Sequence, residues 1–238
     1  MNRRILQWYF NHIYTPVYDF SVAQSKPYLE LQALCLNKLS FKSGDHIICI
    51  GVGTGNEISR ILYKEPDVRI KGIDTSRKAL NKACGKSLRH KGKCDFLLMD
   101  AHKLDFADAT FDIALCLHVM GFLQDDLKAT QEIYRVLKQG GQFAVTYPSG
   151  IGSIRLAGRI AHSIWHDIKS FRLISASRSS VSLILGGLVY IPISSWIKPS
   201  SGFYSRQTLN EMVNSAGFSN YKIDEDIDYQ DYIVSGTK

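Results

Sequence analysis

The sequence predicts an α/β fold: a mostly parallel, seven-stranded sheet with helices on both faces and an antiparallel hairpin at its C-terminal end. Three observations predict it. Short aliphatic runs alternate with helically spaced segments from Gly44 to Tyr147. A turn carrying three glycines in five positions directly follows the first of those runs. The last two polar–apolar stretches lie close enough in sequence to pair with each other.

The elements follow in order. Pro27 to Leu39 has helical spacing and leads into HIICI (His46 to Ile50), a buried strand. Asn56 to Lys64 reads as a helix closed by Pro66, and VRIKGID (Val68 to Asp74) as the next strand. Ser76 is placed as the N-cap of a helix running to His90. CDFLLMD (Cys94 to Asp100) and FDIALCLH (Phe111 to His118) are strands. Asp125 to Lys138 is a helix stopped by Gly140-Gly141, and QFAVTY (Gln142 to Tyr147) is again a strand. Arg206 to Ala216 is a helix closed by Gly217, ahead of the YKIDEDI and DYIVSG hairpin. Strands alternating with helices build a parallel sheet, and right-handed crossovers leave little topological freedom.

Composition excludes several classes. The 238 residues contain no low-complexity tract or internal repeat. Five scattered cysteines (Cys35, Cys49, Cys84, Cys94, Cys116) form no CxxC pair, which argues against a disulfide framework and against a structural metal site. They read as reduced packing residues of a cytoplasmic protein. The basic start, MNRRILQWYF, leads into no continuous apolar segment, so no secretory leader is predicted. VSLILGGLVYIPI (Val181 to Ile193) is shorter than the roughly 20 residues that span a bilayer. The formal charge is +7, and most of it is concentrated. Residues 151–200 hold six basic side chains (Arg155, Arg159, Lys169, Arg172, Arg178, Lys198) against one acid, Asp167.

The glycine turn, ICIGVGTGNE, carries the chemistry. A dinucleotide fingerprint GxGxxG would need its last glycine at position 56, where the chain has Asn56; the pattern here is GxGxG. A strand, a glycine turn and a helix start let backbone approach a ligand closely. Asp74 ends the second strand, where a carboxylate can accept both hydroxyls of a ribose. Asp100 ends the third, where a carboxylate or neighbouring backbone can meet an adenine amine. Either acid alone fits a turn or a cap equally well. All three features at the carboxyl ends of consecutive strands mark a ligand site of an open α/β sheet.

On these residues the sequence resembles the class I S-adenosylmethionine-dependent methyltransferases. The resemblance is carried by IGVGTG (Ile50 to Gly55), GIDTS (Gly72 to Ser76), LMDAHKLDF (Leu98 to Phe106), ATFDIALCLHVMGFL (Ala109 to Leu123), YRVLKQGGQFAV (Tyr134 to Val145) and FYSRQTLNEMVNSAGF (Phe203 to Phe218). Within the family it looks most like the branch of quinone-biosynthesis and bacterial phospholipid methyltransferases. The resemblance implies a Rossmann-like fold and S-adenosylmethionine as cofactor. Gly51, Gly53 and Gly55 would pack against the methionine moiety, Asp74 bind the ribose and Thr75 flank the adenine. Asp100 and Ala101 would meet the adenine amine, and Leu117 with His118 line the methyl-donor side. One position departs from the family: an acid usually stands two residues before the first glycine, and here it is Cys49.

The resemblance also implies three regions: an N-terminal helical cap (1–40), the cofactor-binding core (41–149 and 202–238) and a basic, apolar lid insertion (150–201). Tyr14 and Tyr18 of the cap are the substrate-side candidates, because aromatic faces stabilise a sulfonium through cation–π attraction; packing of an amphipathic helix accounts for them equally. His118 is the candidate base for a hydroxyl or acidic carbon acceptor, with His102, His162 and His166 behind it. SIRLAGRIAHSIWHDIKSFRLI (Ser153 to Ile174) is a basic amphipathic helix of the kind that lies on membranes, or a lid that buries its apolar face on its own domain. Three functions follow from these residues. The first is methyl transfer to a hydrophobic, lipid-like or quinone-like acceptor, in a cytoplasmic protein peripheral to the anionic inner face of a membrane. The second is methyl transfer to a soluble aromatic or natural-product molecule. The third is a non-catalytic binding protein with a vestigial cofactor pocket; nucleic acid is not an expected partner, because the cations interleave with aliphatics rather than stacking aromatics.

Overall fold

The computed structural model describes residues 8–23, 25–90, 92–149, 204–226 and 231–238, together with 161, 162, 164–170, 174, 177, 178, 180, 181 and 184. Among these, seven strands form one sheet: β1 (His46–Ile50), β2 (Arg69–Asp74), β3 (Cys94–Leu98), β4 (Phe111–Cys116), β5 (Leu137–Pro148), β6 (Asn220–Asp226) and β7 (Asp231–Thr237). Their spatial order is β3-β2-β1-β4-β5-β7-β6. β1 to β5 are parallel, with Ile48 of β1 opposite Lys71 of β2 and Ala114 of β4. β7 runs antiparallel to both β5 and β6. The order reverses between β1 and β4, so the crevice at their carboxyl ends is the topological switch point where open sheets bind ligands.

Strand alternation divides the core in two. Ile47 and Cys49 face one side, with Leu31, Cys35 and Leu36 of α2 (Lys26–Asn37) and Ile58, Ile61 and Leu62 of α3 (Ile58–Lys64). Ile48 and Ile50 face the other, with Ala129, Ile133 and Val136 of α5 (Asp126–Val136) and Leu209 and Val213 of α6 (Arg206–Ser215). α1 (Thr15–Ala23) and a π-helical stretch, Phe10–Tyr14, precede α2 and lie against the carboxyl edge of the sheet. α4 (Arg77–Lys86) covers β2 and β3.

Several predicted boundaries shift, each for a local reason. The Ser76 cap is present, its hydroxyl accepting the Ala79 N–H at 3.2 Å. The helix it starts ends at Lys86 rather than His90: Ser87 N–H is shared between the Ala83 and Cys84 carbonyls, and a 3₁₀ turn, Leu88–His90, follows. The helix after the glycine turn begins at Ile58 rather than Asn56, because the turn holds the Gly55 N–H on Val52 O. β5 begins at Leu137, which pairs with Phe111, so Gly140 and Gly141 lie within the irregular start of the strand instead of terminating the helix. Asp100 lies beyond β3, bridged to Lys103, and His118 lies beyond β4.

A buried polar chain ties α5 to β5 and to the start of α6. Thr130 Oγ1 donates to Asp126 O at 2.7 Å, so the Tyr147 hydroxyl, 2.8 Å away, donates to Thr130. Tyr204 O–H donates to Asp126 Oδ2 at 2.7 Å. Tyr147→Phe deletes the donor and leaves the Thr130 oxygen short of a partner. The expected cost is about 1 kcal/mol, read as a fall of roughly 2–4 °C in Tm for a chain of this size.

Candidate functional site

The site is built at the carboxyl ends of β1, β2 and β4. Gly51, Gly53 and Gly55 all have positive φ (62°, 54° and 75°), so the turn itself favours glycine at each. Their surroundings differ. A Cβ on Gly51 would meet Val119 Cγ2 at 2.2 Å, and one on Gly55 would meet the Ala83 Cβ of α4 at 3.0 Å. A Cβ on Gly53 would meet nothing nearer than the Gly51 carbonyl at 3.9 Å. The first and third glycines are therefore demanded by the protein's own packing as well. Of the three, Gly53 has the most room beside its backbone.

Asp74 holds this turn in place. Its Oδ2 accepts the Gly53 N–H at 2.9 Å and its Oδ1 the Ser76 N–H at 2.7 Å, with the Thr75 N–H also directed at the carboxylate. Burial pushes the Asp74 carboxyl up from its ordinary value, against the pull of those three N–H groups. Thr75 is exposed at the end of β2. Asp100 is oriented by His102, whose backbone N–H and Nδ1 approach its Oδ1 at 3.0 and 2.6 Å. His102 Nε2 accepts the Asp125 N–H at 3.2 Å, so Nδ1 carries the proton and donates to Asp100. His102 thus positions Asp100 relative to the N-cap of α5. Ala101 is buried beside it.

Past β4, Leu117 packs on the α2–α3 side of the core. His118 adopts φ 57°, with its N–H on Thr146 Oγ1 at 2.8 Å. Its ring stacks on Tyr28 (centroids 4.6 Å apart), and Nδ1 lies 3.4 Å from Asp231 Oδ2 of β7. The Tyr28 hydroxyl is 2.8 Å from that of Tyr18, which packs on Tyr14 at 5.1 Å. An aromatic series therefore runs from Tyr14 through Tyr18 and Tyr28 to His118, joining the cap to the end of β4.

The cap is pinned to the turn by charge. Asp19 of α1 accepts from Thr54 Oγ1 and from Lys86 Nζ, the latter at 2.8 Å. Lys86 also reaches Asn56 Oδ1 at 2.7 Å, and Lys82 donates to Thr15 O at 2.7 Å. Together these contacts lower the Asp19 carboxyl below its ordinary value despite its partial burial.

Three residues of the site escape sequence reasoning: Tyr28, Asp231 and Glu57. Tyr28 and Asp231 lie in segments whose patterns read as an ordinary helix and strand. Glu57 sits next to the glycine turn, so proximity is the one signal that marks it. It is 9% exposed, and burial pushes its carboxyl up to about 7 from an ordinary 4.5.

Residues 48–145 match the methyltransferase domain family. Over 110 residues the chain is 33% identical to an O-methyltransferase, resE, of Aspergillus sclerotiorum, covering 45% of this chain and 41% of that protein. Over 131 residues it is 32% identical to cycloartenol-C-24-methyltransferase 1 of rice, covering 52% and 35%. The matches thus span less than half the length of these curated relatives. A SAM-dependent methyltransferase from Aquifex aeolicus superposes with a TM-score of 0.61 at 15% identity, over 92% of this chain and 97% of that one, a likeness of fold.

Two outcomes check this geometry. Asp74→Ala removes the acceptor of three backbone N–H groups beside the open face of Gly53. It is expected to weaken S-adenosylmethionine binding about 10- to 100-fold and to lower Tm, read by calorimetry and thermal melting. For Glu57, the unfolded chain ionises near 4.5 and the folded one near 7, so the unfolded state sheds its proton first and stability falls as pH rises across that interval. Glu57→Gln is expected to remove this part of the pH dependence and to raise Tm at pH 8 more than at pH 5.

A strand, a glycine turn and a helix start, with acids at the ends of β2 and β3, form the arrangement found where open α/β sheets bind ligands. Joined to the domain match, it supports reading residues 48–145 as a methyltransferase domain of the S-adenosylmethionine-dependent kind.

Proposed function

We propose that this protein transfers the methyl group of S-adenosylmethionine to a hydrophobic acceptor. The observation that carries the reading is the placement of the Gly53 backbone, Asp74 and Asp100 after the carboxyl ends of the neighbouring strands β1, β2 and β3. Asp74 would take the ribose hydroxyls, Thr75 would flank the adenine, and Asp100 with Ala101 would meet the adenine amine. When bound, the cofactor supplies an electrophilic methyl on a sulfonium. The chain's own task is to align the acceptor and exclude water. The cap pinned by Asp19 and the Tyr14–Tyr18–Tyr28 series supports that role, since aromatic faces favour a nearby cation. His118, paired with Asp231, would serve as base for a hydroxyl acceptor.

The acceptor side rests on the insertion. The residues flanking it meet, Tyr204 N–H donating to Pro148 O at 3.1 Å. Much of the predicted amphipathic helix, and most of Val181 to Ile193, lies outside the described residues. Where it is described, Trp165, Ile168, Ile174, Val181 and Ile184 are exposed, while the acid Asp167 is buried. Lys169 Nζ lies 5.3 Å from the Trp165 ring. Outward apolar side chains among cations support a lid that draws its acceptor from an anionic lipid surface. Among the described residues no helix is long and apolar enough to cross a membrane. The sterol substrate named for the rice relative is consistent with an apolar acceptor.

Co-sedimentation with vesicles containing phosphatidylserine is the test. Binding is expected, weakened by salt and reduced several-fold by the double substitution Trp165→Asp, Ile168→Asp. A folded protein that leaves the vesicles in the supernatant would favour a soluble aromatic acceptor.

A further inference from the structure

Four carboxylates lie at the carboxyl side of the sheet near the site, and three are met by donors of the protein. Asp19 is paired with Lys86 and Lys82, Asp74 accepts three backbone N–H groups, and Asp100 accepts His102. Glu57 is different. It directly follows the turn, its side chain is buried between β1, β4 and α2, and Cys49, Cys116 and the Tyr28 hydroxyl lie around it. Among the described residues its carboxylate forms no ion pair, and its hydrogen bond comes from its own backbone N–H. The nearest cation, Lys86, is committed to Asp19, Thr54 and Asn56. Cys49 and Cys116 offer no compensation, since burial raises both thiols far above their ordinary value and keeps them neutral.

Resting on the methyltransferase reading, we propose that Glu57 is the counter-charge for the α-ammonium of the cofactor's methionine moiety, and that cofactor binding releases the proton Glu57 otherwise holds. The chemistry of S-adenosylmethionine selects the ammonium over the sulfonium. A carboxylate whose one hydrogen bond comes from its own backbone N–H is satisfied by a further group that can donate to it, and an ammonium has three N–H donors where a sulfonium has none. The sulfonium methyl must also face the acceptor, whereas Glu57 is buried at the start of the helix that follows the turn. Proton release follows from the environment. Burial, with Asp74 nearby, holds the Glu57 proton to about pH 7 against the pull of Lys86 and the backbone N–H. An arriving ammonium reverses that balance. The groups facing it from the surrounding elements are Tyr28 on α2, Cys49 on β1, Asp74 on β2, Lys86 on α4 and Cys116 on β4; of these only Lys86 is a cation.

Calorimetric titration of the full chain and of Glu57→Gln separates the outcomes. Three ligands are compared: S-adenosylmethionine, S-adenosylhomocysteine, which keeps the ammonium but not the sulfonium, and 5′-methylthioadenosine, which lacks the amino-acid tail. The expected result is a loss of at least tenfold in affinity for the first two and unchanged affinity for the third. At pH 6.5, titrations in buffers of different ionisation enthalpy should show proton release by the native protein and none by Glu57→Gln. Equal affinity of both proteins for S-adenosylmethionine would overturn the assignment, as would a loss confined to S-adenosylmethionine, which would put Glu57 at the sulfonium. A native protein that binds none of the three refutes the methyltransferase reading itself. Because Glu57→Gln relieves a buried charge, the variant is expected to remain folded, and its melting curve checks that.

Discussion

The site depends on one carboxylate, Asp74, at the end of β2. By accepting the backbone N–H groups of Gly53, Thr75 and Ser76, it fastens the glycine turn after β1 to the start of α4. Val52 N–H on Ile73 O and Met99 N–H on Asp74 O extend the same connection across β1, β2 and β3. Two loops, after β1 and after β2, share one carboxylate acceptor, and that carboxylate is tolerable because those N–H groups are fixed by strand and helix geometry. The crevice is thereby built before any ligand arrives, which lowers the ordering cost of binding.

The second constraint is the cap. Nothing in its sequence patterning compels α1 to lie over the turn; charge does. Asp19 reaches Thr54 and Lys86, and Lys86 reaches Asn56, so the cap, the turn and α4 share one polar cluster. Packing then continues through Tyr18 and Tyr28 to His118. Each contact is modest, but together they join the cap to the turn and to the end of β4. A half-buried ion-pair network at a mouth and an isolated acid behind it have opposite energetics: the network stabilises the closed cap, while the acid costs stability until a cation joins it.

His118 is a case where geometry redistributes an expected role. Its left-handed backbone, its stacking on Tyr28 and its approach to Asp231 link β4, α2 and β7. Asp231, contributed from the far end of the chain, lies 3.4 Å from the His118 Nδ1. His102 shows the same principle more simply: a histidine in a motif-rich stretch that orients Asp100 through one nitrogen and meets the α5 cap through the other.

The sequence by itself determined the strand order's raw material, the glycine turn, the acids at the strand ends and the Ser76 cap. Each is a local pattern in which a few adjacent residues carry the signal. Continuous aliphatic runs mark β1, β4 and β5 because buried parallel strands need apolar side chains on both faces. Tertiary structure alone decided why each glycine is required, since Val119 and Ala83 approach Gly51 and Gly55 from distant elements. It decided that the helix before β5 ends at Val136, because pairing of Leu137 with Phe111 captures the backbone before Gly140 is reached. It also decided that Glu57 is buried without a cation and that Asp231 meets His118. Burial and long-range pairing are sums over neighbours brought together by the fold, and no window of sequence contains them.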